Sequence, residues 1–404
     1  MSKSTFLISF LGTGVNKRND AVGSENQVYK TINYQFEDKK TIETKFVASA
    51  LGQHYKVAGT LLIGTSKSRW DEFYKYFAER SNIFDAKLYS QFSAIVNGNH
   101  LDENDTHKLE ELLTSIDDLL GGTSRCLIIP SGESRKEQIE IFHKIASSLE
   151  ELVTENSNII LDITHSFRSL PLFTMSVFNY LTEVRHNSIR LDKIVYGRLE
   201  DGMIIDITAA AEFNTWTKAA HAFGEYGKGE LLANLLPENE GKAVQSFSDA
   251  LSLNYVNDIT KQIGKLQELL ETFDNEIGFL IVPKVIKSFI NRLKSTENEA
   301  SAFQYQLAKW HFENKNYNSG YLLLTEGVIT KICELEGSNW KNKDDRQSAK
   351  NLLFSHLSYA KYNRFYNQIN QIRNELVHAN EQSLGTSSDL ILKLKKCLNE
   401  FSQF

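Results

Sequence analysis

Residues 159–171 read IILDITHSFRSLP. The run 159–163 is short, apolar and rich in Ile, as a buried strand requires. Pro171 suits the first turn of a following helix, where its missing N–H is no loss. The stretch is therefore a strand that runs straight into a helix. Outward from it the pattern repeats. Residues 6–11 (FLISFL), 57–63 (VAGTLLI), 126–129 (CLII) and 193–196 (KIVY) are further short apolar runs, bounded by Gly, Pro, Asn or Asp. Amphipathic stretches at 41–53, 70–79, 105–120, 136–152 and 170–184 lie between them. This alternation predicts an α/β unit with a doubly wound, mostly parallel sheet over residues 1–208. Residues 203–207 (MIIDI), after Asp201-Gly202, read as the return strand of a hairpin.

Beyond residue 208 the pattern turns helical. Ile259, Ile263, Leu266, Leu270 and Phe273 recur at helical spacing, as do Tyr362, Phe365, Ile369, Ile372 and Leu376. No proline follows Pro283, so long helices are permitted. Residues 209–245 read as a helical linker and 246–404 as an all-α bundle, with a turn at 314–319 and a polar loop at 338–346.

The chain has 404 residues and a net charge of −6, so it has no global attraction for nucleic acid. Contacts to phosphate must come from local cations or helix N-termini. Three scattered cysteines, Cys126, Cys333 and Cys397, make neither a disulfide framework nor a metal pair. The opening MSKSTFLISFLGTG has too short an apolar run for a signal peptide, and no stretch is long enough to span a membrane. A cytoplasmic protein is expected.

In a doubly wound sheet, ligands bind where strands end and helices begin. Three loops fall on that rim. The first is Gly12-Thr13-Gly14. It lacks the third small residue of a dinucleotide fingerprint, since Lys17 stands there, and it lacks the Gly-Lys-Ser/Thr of a P-loop. It is either a ligand loop or a plain tight turn. The second is Asp162–Arg168. Thr164 and Ser166 can donate to phosphate or ribose oxygens, His165 can stack on a base or donate, and Arg168 brings a cationic fork. The same residues also suit an N-capped helix start, with Ser166 or Ser169 capping. The third is Ser131-Gly132-Glu133, which belongs to the same rim or is simply solvated.

Near the C-terminus, Arg373-Asn374 and His378 bring together a cation, an amide and a proton carrier. Arg373 could stabilise charge on a phosphorane, His378 could move a proton, and Asn374 could orient either. Five residues apart is about 140° of rotation on an ideal helix, so the two are not same-face neighbours. Spacing alone favours a helix-end cation pair serving the dipole. No acidic cluster suggests a two-metal nuclease, and no His pair at i,i+4 suggests zinc.

Taken together these motifs resemble the ancillary ribonucleases of type III CRISPR systems, which join a nucleotide-sensing CARF domain to a C-terminal HEPN ribonuclease domain. Asp162-Ile163-Thr164-His165-Ser166 is similar to the family's Asp-x-Thr-His-Gly motif, with Ser166 in place of Gly. Gly12-Thr13-Gly14 matches its first loop, and Arg373-Asn374 with His378 its Arg-x(4–6)-His motif. The resemblance implies an endoribonuclease of antiviral defence, activated by cyclic tetra- or hexa-adenylate, that cuts single-stranded RNA without a metal. The 2′-hydroxyl would attack to leave a 2′,3′-cyclic phosphate. It implies a homodimer with a composite site of Arg373 and His378, and no cofactor. Some members also cleave their activator, for which Thr13, Thr164 and Ser166 are candidates. Two other readings are a non-catalytic nucleotide-binding regulator and a small-molecule enzyme at the sheet edge. A DNA reader would want a basic recognition helix, and Lys393-Leu394-Lys395-Lys396 reads instead as a solvated face.

Overall fold

The computed structural model describes residues 4–13, 15–16, 27–98, 120, 122–154, 156–165, 169–185, 189–272, 278–293, 299–377 and 385–403. It divides into two compact units, Met1–Ala211 and Glu212–Phe404.

The first unit holds ten strands in its described residues: β1 (Thr5–Leu11), β2 (Val15–Asn16), β3 (Gln27–Val28), β4 (Ile32–Gln35), β5 (Thr41–Thr44), β6 (Gly59–Thr65), β7 (Arg125–Ile129), β8 (Asn158–Asp162), β9 (Arg190–Gly197) and β10 (Ile204–Asp206). Six form one sheet in the order β10-β9-β8-β1-β6-β7. All its pairings are parallel except the β9–β10 hairpin. β1 and β6 are buried nearly throughout, which is why they read as unbroken apolar runs.

Alternate residues serve opposite faces. Leu7, Leu11, Leu62 and Ile160 join Trp70, Phe73 and Phe77 of helix Trp70–Arg80 on one side. Phe6, Ile8, Phe10, Ile159 and Leu161 join Ile145 of helix Arg135–Leu152 and Val177 of helix Leu170–Glu183 on the other. The chain builds outward from β1 through β6 to β7, then returns to lay β8, β9 and β10 on β1's other flank. The switch point of the sheet therefore lies between β1 and β8.

Two local expectations change. The amphipathic stretch 41–53 is not one helix: Thr41–Thr44 is β5, paired antiparallel with β4, and the helix begins at Val47. A turn sends the chain back: Lys39 adopts φ 65°, its N–H bonds Phe36 O at 2.9 Å, and Phe36 N bonds Lys40 O at 2.9 Å. The polar stretch 338–346 is only partly loop, because Asn342 accepts from Asp344 N and Asp345 N and so starts helix Lys343–Ser355. The helix expected at 105–120 lies outside the described residues save for Leu120.

The second unit is helical around a single core. Helix Tyr317–Leu335 is buried along most of its length and packs against helices Ala300–Glu313, Lys343–Ser355, Ala360–Val377 and Ser387–Phe401. The stretch read as a linker contributes Trp216, Phe223, Leu232 and Val244 to the same core as Phe289, Leu324, Phe365 and Leu398. Among the described residues no helix is long and apolar enough to cross a membrane.

Candidate functional site: the switch point and the Arg373 helix

β1 ends at Leu11 and β8 at Asp162 on neighbouring parallel strands, and beyond them Gly12 meets His165 at the switch point. A Cβ on Gly12 would stand 2.9 Å from the His165 carbonyl oxygen, so only glycine lets the two strand ends come this close. Gly12 N–H donates to Tyr29 Oη at 2.7 Å, and the Tyr29 hydroxyl donates to Gly12 O at 3.1 Å. The flanking backbone is tied to the segment that follows β6, with Ser68 Oγ donating to Leu11 O (2.6 Å) and Arg69 N to Gly12 O (3.1 Å). Thr13 is half-buried at the same edge.

Asp162 is fully buried and accepts from Ser9 Oγ (2.5 Å), Thr164 N (2.9 Å) and Thr164 Oγ1 (2.5 Å). Burial pushes its carboxyl above the ordinary range, against the pull of these donors. Thr164 Oγ1 in turn accepts from Gly197 N at 2.8 Å. The one hydroxyl proton of Thr164 thus goes to Asp162. The pair fastens β8 to β1 through Ser9 and to β9 through Gly197.

His165 is half-buried just beyond the end of β8. Its ring meets Tyr29 edge-on, with centroids 4.9 Å apart at 87°. Its Nε2 is shielded from solvent and has no hydrogen-bond partner among the described residues. Burial lowers its pKa to about 4, so at neutral pH it offers hydrogen bonding without charge.

The third loop follows β7 at the same sheet rim, two strands away from β1. β7 is the outer strand, separated from β1 by β6. Gly132 N and Glu133 N donate to Glu137 Oε2 at 2.9 and 3.1 Å, and Glu137 N donates to Ser134 Oγ at 3.2 Å. The anion position at the start of helix Arg135–Leu152 is thus filled by the chain's own carboxylate. Ser131, Gly132 and Glu133 are not brought to the β1–β8 edge, and the last two have their N–H groups engaged. Gly14, Ser166 and Arg168 lie outside the described residues.

Sequence reading missed Tyr29, Ser68 and Arg69. Ser68-Arg69 follows β6 as Thr164-His165 nearly follows β8, and that strand-end placement was the available signal. Arg69 is held by both oxygens of Asp71, each at 2.9 Å, so it is not a free cation.

In the helical unit, Arg373 and Asn374 sit on helix Ala360–Val377, half-buried beside the buried Ile369 and Ile372. Arg373 Nη1 donates to Asn374 Oδ1 at 3.0 Å, while Nε is shielded from solvent without a partner among the described residues. His378 lies outside the described residues. Among the described residues no three His, Cys, Asp or Glu side chains converge as metal ligands would.

Residues 6–199 match the CARF domain of the CRISPR system endoribonuclease Csx1. Residues 212–300 match the second domain of the CRISPR-associated protein MJ1674. The chain is 32% identical over 410 residues to CRISPR-associated protein MJ1674 of Methanocaldococcus jannaschii, an alignment that covers 94% of this chain and 63% of that protein. The chain therefore spans less than two thirds of that relative's length. The two domain matches fall on either side of the boundary at Ala211. These matches support a CRISPR-associated, CARF-containing ancillary protein.

Proposed function

We propose that the chain is an endoribonuclease of type III CRISPR defence, switched on by cyclic oligoadenylate and cutting single-stranded RNA at a HEPN-type site without a metal. The observation that carries this reading is the contact of Gly12 with His165 at the CARF switch point. Two strand ends locked this closely form a preorganised edge on which a ligand can lie. Gly12, Thr13 and a neutral His165 suit a ribose or base. Phosphates of the ring need cations, and Arg168 is the candidate the motif supplies.

At the other site, Asn374 steers Arg373, whose shielded Nε is an N–H awaiting an acceptor. A guanidinium there stabilises the charge that builds on phosphorus as the 2′-hydroxyl attacks, and His378 carries the proton. The bond to the 5′-oxygen breaks and a 2′,3′-cyclic phosphate is left. A ring of identical nucleotides suits a two-fold pair of CARF edges, and a homodimer also lets Arg373 and His378 of two helices share one phosphate. The inward hydroxyl of Thr164 argues against its use in cleaving the activator. The test is a titration with cyclic tetra- and hexa-adenylate, followed by end-group analysis of cut RNA. One ring should bind, and the product should carry a cyclic phosphate. Absence of binding by either ring, or a 3′-hydroxyl product, contradicts the proposal.

A further inference from the structure

We infer that Tyr29 is a positioning residue of the ligand edge, setting the Gly12 backbone and the His165 ring against each other. The inference rests on the reading of that edge as the activator site. Tyr29 belongs to neither motif and reaches the edge from the short segment between β3 and β4. Steric contact with His165 demands glycine at residue 12, yet glycine has the widest backbone freedom of any residue. A glycine that must present a fixed edge needs an outside restraint. One Tyr29 hydroxyl provides it, accepting from Gly12 N–H and donating to Gly12 O.

The ring is anchored in turn. Tyr29 is 5% exposed and packs on Phe46 at 4.7 Å, and Phe46 contacts Phe73, Tyr76 and Phe77. Its other contact is the edge-on His165 ring. Burial raises the phenol's pKa, so the hydroxyl keeps its proton at any working pH. Tyr29 thus connects the aromatic core to both motif loops, and restraint of a binding surface before the ligand arrives improves affinity.

Tyr29→Phe keeps the ring and removes only the hydroxyl. The matched control is Tyr76→Phe, which removes from the same aromatic cluster a hydroxyl bonded to Thr44 Oγ1 (3.2 Å) and not to Gly12. In ligand-free protein, amide exchange at Gly12 and Thr13 should quicken about tenfold in Tyr29→Phe and stay at the wild-type rate in Tyr76→Phe. Dissociation constants for cyclic tetra- and hexa-adenylate should rise about tenfold in Tyr29→Phe alone, because both hydrogen bonds that fix the Gly12 backbone to the hydroxyl are lost. Unchanged exchange in Tyr29→Phe, or equal losses in both variants, overturns the inference. If wild-type protein binds neither ring, the activator reading fails by itself, and the exchange measurement still decides whether Tyr29 restrains Gly12.

Discussion

The ends of β1 and β8 and the end of helix Ala360–Val377 hold their motif residues in opposite ways. At the sheet edge several of the described motif groups have internal partners. Asp162 gathers Ser9 and Thr164, Thr164 holds Gly197, and Tyr29 holds Gly12, while the shielded His165 Nε2 has no partner among the described residues. On the helix, Arg373 bonds the side chain next to it, and its shielded Nε has no partner among the described residues. The first arrangement suits recognition, where fixed geometry sets affinity and choice. The second suits a cation whose partner arrives with the substrate. The lesson is that motif residues in one chain divide into fasteners and contacts, and hydrogen bonds tell them apart.

The sharpest way to break this comparison is to exchange its halves. Arg373→Ala should lower RNA cutting roughly 10²–10³-fold, the usual loss for a transition-state donor, with activator affinity unchanged. His165→Ala should instead raise the activator concentration needed for half-maximal cutting. If each variant shows the other's defect, the division of labour is wrong.

Next in size is an acid sensitivity. His311 is 2% exposed, and burial lowers its pKa to about 4. The unfolded chain therefore binds the proton more readily between that value and the ordinary one near 6.5. Stability is full above about pH 6.5 and falls as pH drops toward 4, by up to roughly 3 kcal/mol from this group. Urea unfolding of the wild type and of His311→Gln across that range should give converging stabilities at low pH; parallel curves would exclude His311 as the cause.

Asp162→Ala strands three buried donors and should destabilise the CARF unit by about 2 kcal/mol, with Asp162→Asn milder because an amide oxygen can still accept. Equal damage from both would mean that the charge, and not the acceptor geometry, matters. The smallest effect is expected at Glu137→Ala, about 1 kcal/mol for a lost loop clamp, with activator binding intact. A loss of binding there would place Ser131–Glu133 at the ligand site.

Much of this was readable beforehand. The five parallel strands and the return hairpin announced themselves as short apolar runs, because strands buried on both faces have no polar alternation to confuse them. Gly12 and His165 were placed at one edge by topology rules alone. Ser134-x-x-Glu137 reads as a capping box, and it was the signal that Glu137 turns back on the 131–133 loop. The inward turn of Thr164 could not be read, since it depends on Gly197 from a strand 33 residues away. Nor could Tyr29, whose role arises only when a short segment folds across the sheet end. Residues 41–44 misled because a helical period can be drawn through a β-branched run, and the turn at Lys39 carries no Gly or Pro to mark it.

The central claim is that a nucleotide ring on the CARF edge controls cutting by the helical unit. The direct measurement is cleavage of labelled single-stranded RNA by the full chain, in EDTA, with and without cyclic tetra- or hexa-adenylate. Cutting should start only when one of the two rings is added and should disappear in Arg373→Ala. Cutting at the same rate with no ring present, or none with either ring, would contradict the claim.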